Sequence, residues 1–257
     1  MTSVPLTLEQ YEQLNPRCEI VHAGTRMIFA TPNTGTKWRV DTIYEKEPCT
    51  LEWIAGFESS DTLVDIGANV GMYTIWSAAT KGVRVYAFEP EAQNYGLLNR
   101  NLMHNGLGGK VKAFCLALSD RAGLGELHLA TLEAGGSLHS LNDRVDYNRA
   151  PMQPRYSQGC VSARLDDLVR DGAVPAPHYI KIDVDGFEPR VIAGAAQVIR
   201  SPHTKSLLIE VNHNIPDHRE MVAELNGLGF KHDPAQVARA ERKEGPFKGC
   251  AEYVFRR

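Results

Sequence analysis

Residues 63–71 read Leu-Val-Asp-Ile-Gly-Ala-Asn-Val-Gly, and Glu89 stands 18 positions beyond Gly71 in the run Tyr-Ala-Phe-Glu-Pro at 86–90. An apolar run closing in a glycine turn, then a helix, then a second apolar run closing in an acid is the pattern of a nucleoside pocket. The acid takes hydrogen bonds from ribose hydroxyls. The turn runs from Asp65 through Gly67 and Asn69 to Gly71. It opens on a carboxylate and lacks the crowded glycines of the GxGxxG turn, which seats a pyrophosphate on helix N–H groups. A carboxylate here repels a diphosphate and attracts an ammonium. S-adenosylmethionine carries an ammonium and a ribose and no phosphate, so it meets these terms. A purely structural strand-turn-helix junction, with Asp65 as helix cap, meets them too.

A second constellation is Tyr179-Ile180-Lys181-Ile182-Asp183-Val184-Asp185-Gly186-Phe187-Glu188. Strand alternation puts Lys181 and Asp183 on one face. Charges in an apolar strand are costly to bury unpaired, so they need a partner or a task. The next apolar run ends in Glu210, Asn212 and His213. If the two strands are neighbours, Asp183, Glu210, Asn212 and His213 meet at the rim that carries Gly67 and Glu89. A carboxylate or histidine there can take the proton of an acceptor hydroxyl, with Asp183 the first choice and His213 below it. Lys181 can orient Asp183 or steady a developing alkoxide. The plainer account is a buried Lys181–Asp183 or Lys181–Glu210 pair that only fixes strand packing. Asp183, Glu210 and Asn212 are also three oxygen ligands of the kind that suit magnesium. Asp185 and Glu188, at the turn into the next helix, are expected to cap or support it.

Composition narrows the setting. The chain has 257 residues, 43% hydrophobic and 23% charged, with a net charge of −3, which argues against a nucleic-acid surface. Five cysteines, with no CxxC pair, indicate neither a zinc site nor a disulfide framework and fit a cytoplasm. No window has the length and apolarity of a membrane span, and Met1 to Pro5 show no basic stretch leading into an apolar one.

The elements that must position these groups alternate. Strands are expected over 62–66, 83–88, 111–115, 158–163, 178–182, 206–211 and 251–256, with an extra one over 125–130 and a short one from Phe230. Helices are expected over 70–80, 91–104, 165–170, 188–199 and 217–228. Repeated strand–helix units imply a mostly parallel sheet covered on both faces, with ligands at the carboxyl ends of its strands. Residues 1–60 differ in texture. Strands at 26–30 and 37–40 and a helix at 50–57 make them an N-terminal cap on a main domain over 61–257. A polar, glycine-rich insertion over 133–157 is placed to act as a lid, where Tyr147, Arg149, Arg155 and Tyr156 can meet a sugar.

Val64 to Gly71, Phe88-Glu89-Pro90, Ala117-Leu118-Ser119 and Lys181 to Gly186 together resemble the FkbM family of S-adenosylmethionine-dependent methyltransferases, in order, over roughly residues 45–212. Asp185 departs from the Glu more usual in the family. The resemblance implies a class I methyltransferase fold, Rossmann-like. Its sheet has seven mostly parallel strands, the last antiparallel, with helices on both faces. It also implies methylation of a hydroxyl oxygen on a sugar, glycan or other small molecule. By matching positions, Asp65, Gly67, Asn69 and Gly71 line the methionine end, Glu89 binds ribose, and the Ala117, Leu118 and Ser119 backbone edges the adenine. Two rivals belong to other classes: a nicotinamide-dependent oxidoreductase, which calls for the absent GxGxxG turn, and a non-catalytic S-adenosylmethionine-binding module.

Overall fold

The computed structural model describes residues 6–257; the reading of the first five residues lies outside them. In chain order the elements begin with α1 (Leu8–Gln13), the hairpin β1 (Arg17–His22) and β2 (Thr25–Ala30), α2 (Thr34–Asp41), α3 (Ile43–Lys46) and α4 (Pro48–Ala55). Then come β3 (Thr62–Ile66), α5 (Met72–Lys81), β4 (Arg84–Phe88), α6 (Ala92–His104), β5 (Val111–Phe114), β6 (Ala117–Leu118), β7 (Gly123–Leu129), β8 (Ser140–Leu141) and β9 (Tyr156–Ala163). The chain closes with α7 (Leu165–Arg170), β10 (Tyr179–Ile182), α8 (Glu188–Gly194), α9 (Ala196–Arg200), β11 (Ser206–Asn212), α10 (Pro216–Gly227), α11 (Pro234–Ala240) and β12 (Cys250–Arg256).

Among the described residues the central sheet has six strands in the order β12-β11-β10-β3-β4-β5. All pairs are parallel except β11 with β12. β3, at the centre, is buried at every position because both sheet faces are covered. One apolar cluster on one face joins Ile75, Leu98 and Trp53, and another on the opposite face joins Val64, Ile180, Val191 and Phe230. The mostly parallel, doubly covered sheet is as expected, but the count of seven is corrected. The segment at Phe230 makes only an isolated bridge, Lys231 to Arg256, because Asp233 caps α11 two residues later and ends the extended run. A second sheet, β6-β9-β7-β8, stands beside the first.

The expected strand over 37–40 is also corrected. It lies within α2, which starts at a capping box. Asn33 accepts from the Thr36 N–H while the Thr36 hydroxyl reaches back to the Asn33 N–H. The helix expected over 188–199 is broken at Ala195. The hairpin β1–β2 is anchored to α6, where the Asn105 and Asn101 side chains accept from the Ile28 and Ala30 N–H groups at 2.8 and 2.7 Å.

Candidate active site

A cavity of about 470 Å³ opens at the carboxyl ends of β3, β4, β10 and β11. This is where a parallel sheet leaves a crevice, because its strands end there and its connections diverge. One half of the wall is apolar, with Ile66, Phe88, Pro90, Leu116, Ala117, Leu118 and Leu127, and it holds Gly67, Glu89 and Ser119. The other half is charged and aromatic, with Trp38, Arg39, Lys46, Asp183, Asp185, Glu210, Arg242 and Phe247. A smaller chamber of about 40 Å³ shares Arg39, Lys46, Gly67, Asn69 and Asp183 with it and adds Asp65, Tyr73 and Lys181.

The glycine turn is shaped by close approach. Gly67 sits at φ +77°, and a Cβ there would lie 1.8 Å from the Asp183 carbonyl oxygen. The turn and the loop after β10 are thus in backbone contact. Gly71, at φ +86°, opens α5 and packs toward Leu98. It is not on the cavity wall; its assignment to the methionine end is corrected to a turn and packing role. Asn69 lines the cavity through its turn, but its amide donates to the Gly136 carbonyl at 2.7 Å. Glu89 accepts from the Asn69 and Glu91 N–H groups at 2.8 and 2.9 Å, which fixes the carboxylate at the cavity wall. Each oxygen keeps one further acceptor site for a ribose hydroxyl. Asp65 is 1% exposed; its Oδ2 accepts from the Thr74 hydroxyl at 2.5 Å, and its Oδ1 has no hydrogen-bond partner. An apolar slot, a fixed acid and an unmet buried carboxylate oxygen fit an adenosine that carries a cationic tail.

Burial pushes the Glu89 carboxyl up to about 7, against the pull of the Glu91 and Asn69 N–H groups. Ribose hydroxyls bind best to the ionised form, so affinity for an adenosine ligand should fall as pH drops through about 7, and binding near that pH should release a proton. Glu89→Gln should weaken such a ligand by about 1–3 kcal/mol and flatten that pH dependence. Calorimetry in buffers of different ionisation enthalpy reads both; equal affinity at every pH counts against the assignment.

Lys181 is 2% exposed, with its Nζ 3.1 Å from Asp183 Oδ2 and over the Tyr73 ring. Burial would lower the ammonium, but Asp183, Asp65 and Glu47 hold it above its ordinary value. Burial would likewise raise Asp183, yet Lys181 and Lys46 hold it down to about 2. Asp183 is therefore a fixed anion at the mouth of the smaller chamber. Glu210 Oε1 lies 2.7 Å from Arg242 Nη1, whose other nitrogen reaches Glu252 at 2.6 Å. Burial and then the Asp183 charge push Glu210 upward, with Arg242 opposing.

Other expected groups lie elsewhere. His213 is half-exposed and off the cavity wall, with Nε2 3.7 Å from Glu241, because it falls beyond β11 where the chain turns outward. Asn212 is also off the wall, and its amide donates to Asn148 at 3.0 Å. The magnesium set does not fit. Asp183 and Glu210 already face Lys181 and Arg242, Asn212 is turned away, and the described residues hold no cluster of three or more metal-ligating groups. Of the insertion, only Gly136 to His139 and Leu141 reach the wall. Tyr147 packs on Phe247 and Arg149 pairs with Asp217, while Arg155 and Tyr156 are off the wall.

Trp38, Arg39, Lys46, Arg242 and Phe247 had no place in the sequence reading. The capping box ahead of α2 was a usable signal for the helix that carries the first two. The loop carrying Arg242 offered none.

Backbone contacts seat the insertion. Gly135 donates to Asn94 at 2.7 Å, and its carbonyl takes both Nε and Nη2 of Arg39. Asp185, at φ +56°, accepts from the Leu138 and His139 N–H groups at 2.6 and 3.3 Å. Asp185→Ala should release this tether and expose residues 133–142 to protease. Unchanged cleavage kinetics would show that the tether does not hold the segment.

The Methyltransferase FkbM domain model matches residues 65–232. The chain is 28% identical over 203 residues to the 31-O-demethyl-FK506 methyltransferase FkbM of Streptomyces tacrolimicus, covering 71% of this chain and 77% of that protein. It is 25% identical over 196 residues to the hexuronic acid methyltransferase AglP of Haloferax volcanii, covering 75% and 73%. Among solved structures, the methyltransferase FkbM of Methylobacillus flagellatus superposes with a TM-score of 0.51 at 18% identity. That match covers 77% of this chain and 44% of the other, so the chain spans less than half of that molecule.

Proposed function

Because the chain belongs to the FkbM methyltransferase family, we propose that it moves the methyl group of S-adenosylmethionine onto a hydroxyl oxygen of a small molecule, a sugar, a glycan or a secondary metabolite. One observation carries the reading: a continuous cavity joins Gly67 and Glu89, suited to the donor, with Asp183 and Glu210, suited to a hydroxyl. The names of the two relatives, one for an O-demethyl compound and one for a hexuronic acid, favour an oxygen acceptor. The family displaces the nicotinamide-dependent oxidoreductase.

When bound, the donor supplies a sulfonium methyl open to in-line displacement. The chain's residues then hold and steer. Glu89 fixes the ribose, and the Ala117–Ser119 edge fixes the adenine. Asp183 accepts a hydrogen bond from a neighbouring hydroxyl of the acceptor and so lines the reacting oxygen up with the methyl carbon, which is where most of the rate gain arises. Lys181 positions Asp183. A carboxylate held near 2 is a poor proton acceptor. Glu210, with the higher proton affinity, takes the hydroxyl proton, and Arg242 holds the carboxylate in place. His213 has no part in this scheme. Arg242, Trp38 and Phe247 give the acceptor side an aromatic and cationic wall suited to a polar ring.

The test incubates the purified chain with methyl-labelled S-adenosylmethionine and a panel of hydroxylated acceptors, including hexuronic acid glycosides. Expected are label on oxygen in the product and one S-adenosylhomocysteine per methyl. Tight binding of S-adenosylhomocysteine without transfer to any acceptor would favour the non-catalytic module. No donor uptake in equilibrium dialysis would defeat both readings.

A further inference from the structure

The segment ahead of the family-matched residues places Arg39 on the wall of both chambers. The other cations on those walls have acidic partners: Lys46 with Glu47, Lys181 with Asp183, Arg190 with Asp143, and Arg242 with Glu210 and Glu252. Among the described residues Arg39 has none. Its Nε and Nη2 both go to one neutral acceptor, the Gly135 carbonyl, at 3.0 and 2.6 Å, and its Nη1 makes no hydrogen bond. A guanidinium presents five donors in a rigid plane, so this one retains donors and its full charge for a ligand.

Asp65 leaves the complementary group unmet in the same smaller chamber. Its Oδ1 is buried with no partner while Oδ2 is occupied by Thr74. A buried carboxylate oxygen left bare is costly, and so calls for a cationic partner. The chamber of about 40 Å³ has room for about three waters on the same measure. That is the scale of an amino-acid head group. What is left over is thus one cation without an acidic partner and one buried carboxylate oxygen without a donor, lining a space that opens onto Gly67 and the adenosine half. A zwitterion satisfies both.

On this basis, which rests on the donor reading above and on the ammonium contact already expected of Asp65, we propose that Arg39 receives the α-carboxylate of the donor's methionine tail. The donor site then extends beyond the family-matched residues into α2. A planar fork to a carboxylate is the strong form of such a contact.

The test compares two ligands by calorimetry: S-adenosylhomocysteine and its decarboxylated analogue, which keeps the adenosine, the thioether and the ammonium. The wild-type chain should prefer S-adenosylhomocysteine by about tenfold or more. Arg39→Ala should bring that ratio close to one, and Arg39→Lys should keep part of it. The ratio does not depend on the fraction of protein folded, so a weakened fold cannot imitate the result. A ratio near one in the wild type, or an unchanged ratio in Arg39→Ala, overturns the carboxylate contact and leaves the donor reading standing. A raised acceptor KM with an unchanged ratio also overturns it and moves Arg39 to the acceptor side. Failure of the wild type to bind either ligand removes the donor reading and this proposal together.

Discussion

Gly67→Ala will lower stability by about 2–4 kcal/mol and abolish donor binding at micromolar concentrations. Two independent costs meet at this position. The backbone at φ +77° disfavours any residue with a Cβ, and that Cβ would lie 1.8 Å from the Asp183 carbonyl oxygen. The obstacle is backbone, between β3 and β10, and both strands are locked in register: Lys181 pairs with Asp65 and Ile182 with Ile66. Relief therefore requires moving the whole loop that carries Asp183. Gly71→Ala is the control. Its nearest obstacle is Leu98 Cδ1, the end of a side chain that can swing, so the loss there should be smaller. Urea unfolding midpoints and a donor titration check both variants. Equal losses, or a Gly67→Ala chain that binds donor normally, would mean that the strand junction yields more than its hydrogen bonds suggest.

Asp183→Asn is expected to cut kcat by about a hundredfold or more while changing donor affinity little. It should also destabilise the chain by about 1–3 kcal/mol. The second effect arises because Lys181 is 2% exposed and would lose its 3.1 Å partner, keeping only the more distant help of Asp65 and Glu47. The pH dependence has a defined sign. Asp183 is held below its unfolded value, so its contribution to stability is present above pH 4 and fades as pH falls toward about 2. The double variant Lys181→Met, Asp183→Asn separates packing from chemistry. Removing both charges should recover most of the stability and none of the turnover. If turnover also recovers, Asp183 serves packing alone, which is the plainer account of this strand.

The half of the cavity built by Asp65, Gly67 and Glu89 was legible because its signals are local. Asp65, Gly67 and Glu89 lie on a single strand-turn-helix-strand unit, and the turn chemistry names the position of each. Even so, locality misled at Gly71, whose glycine is required by the opening of α5 and not by a ligand. The charged and aromatic half was hidden for a physical reason. Its wall gathers Trp38, then Asp183, then Glu210, then Arg242, segments that only the finished sheet brings together. Lys37 to Val40 alternate in polarity as a strand does, and the Asn33–Thr36 capping box overrides that pattern. His213 follows Asn212 in sequence, but strand β11 has ended and the chain turns its ring out to Glu241. The seventh strand failed because Pro234 and the Asp233 cap start a helix where an extended run would have needed to continue.

The direction of β12 has a consequence for the chemistry of the acceptor wall. Because β12 runs opposite to β11, Cys250 sits beside Asn212 at the rim and Arg256 beside Ser206 at the far end. The loop leading into β12, with Arg242 and Phe247, is thereby delivered to the same rim as Glu210. Had the last strand entered from the other side, seven residues at about 3.3 Å each would have left that guanidinium some two nanometres from its carboxylate. The polarity of the acceptor wall is therefore inherited from chain direction. Swapping the loop that joins α11 to β12 offers a way to change this wall without disturbing the Gly67–Glu89 end of the cavity.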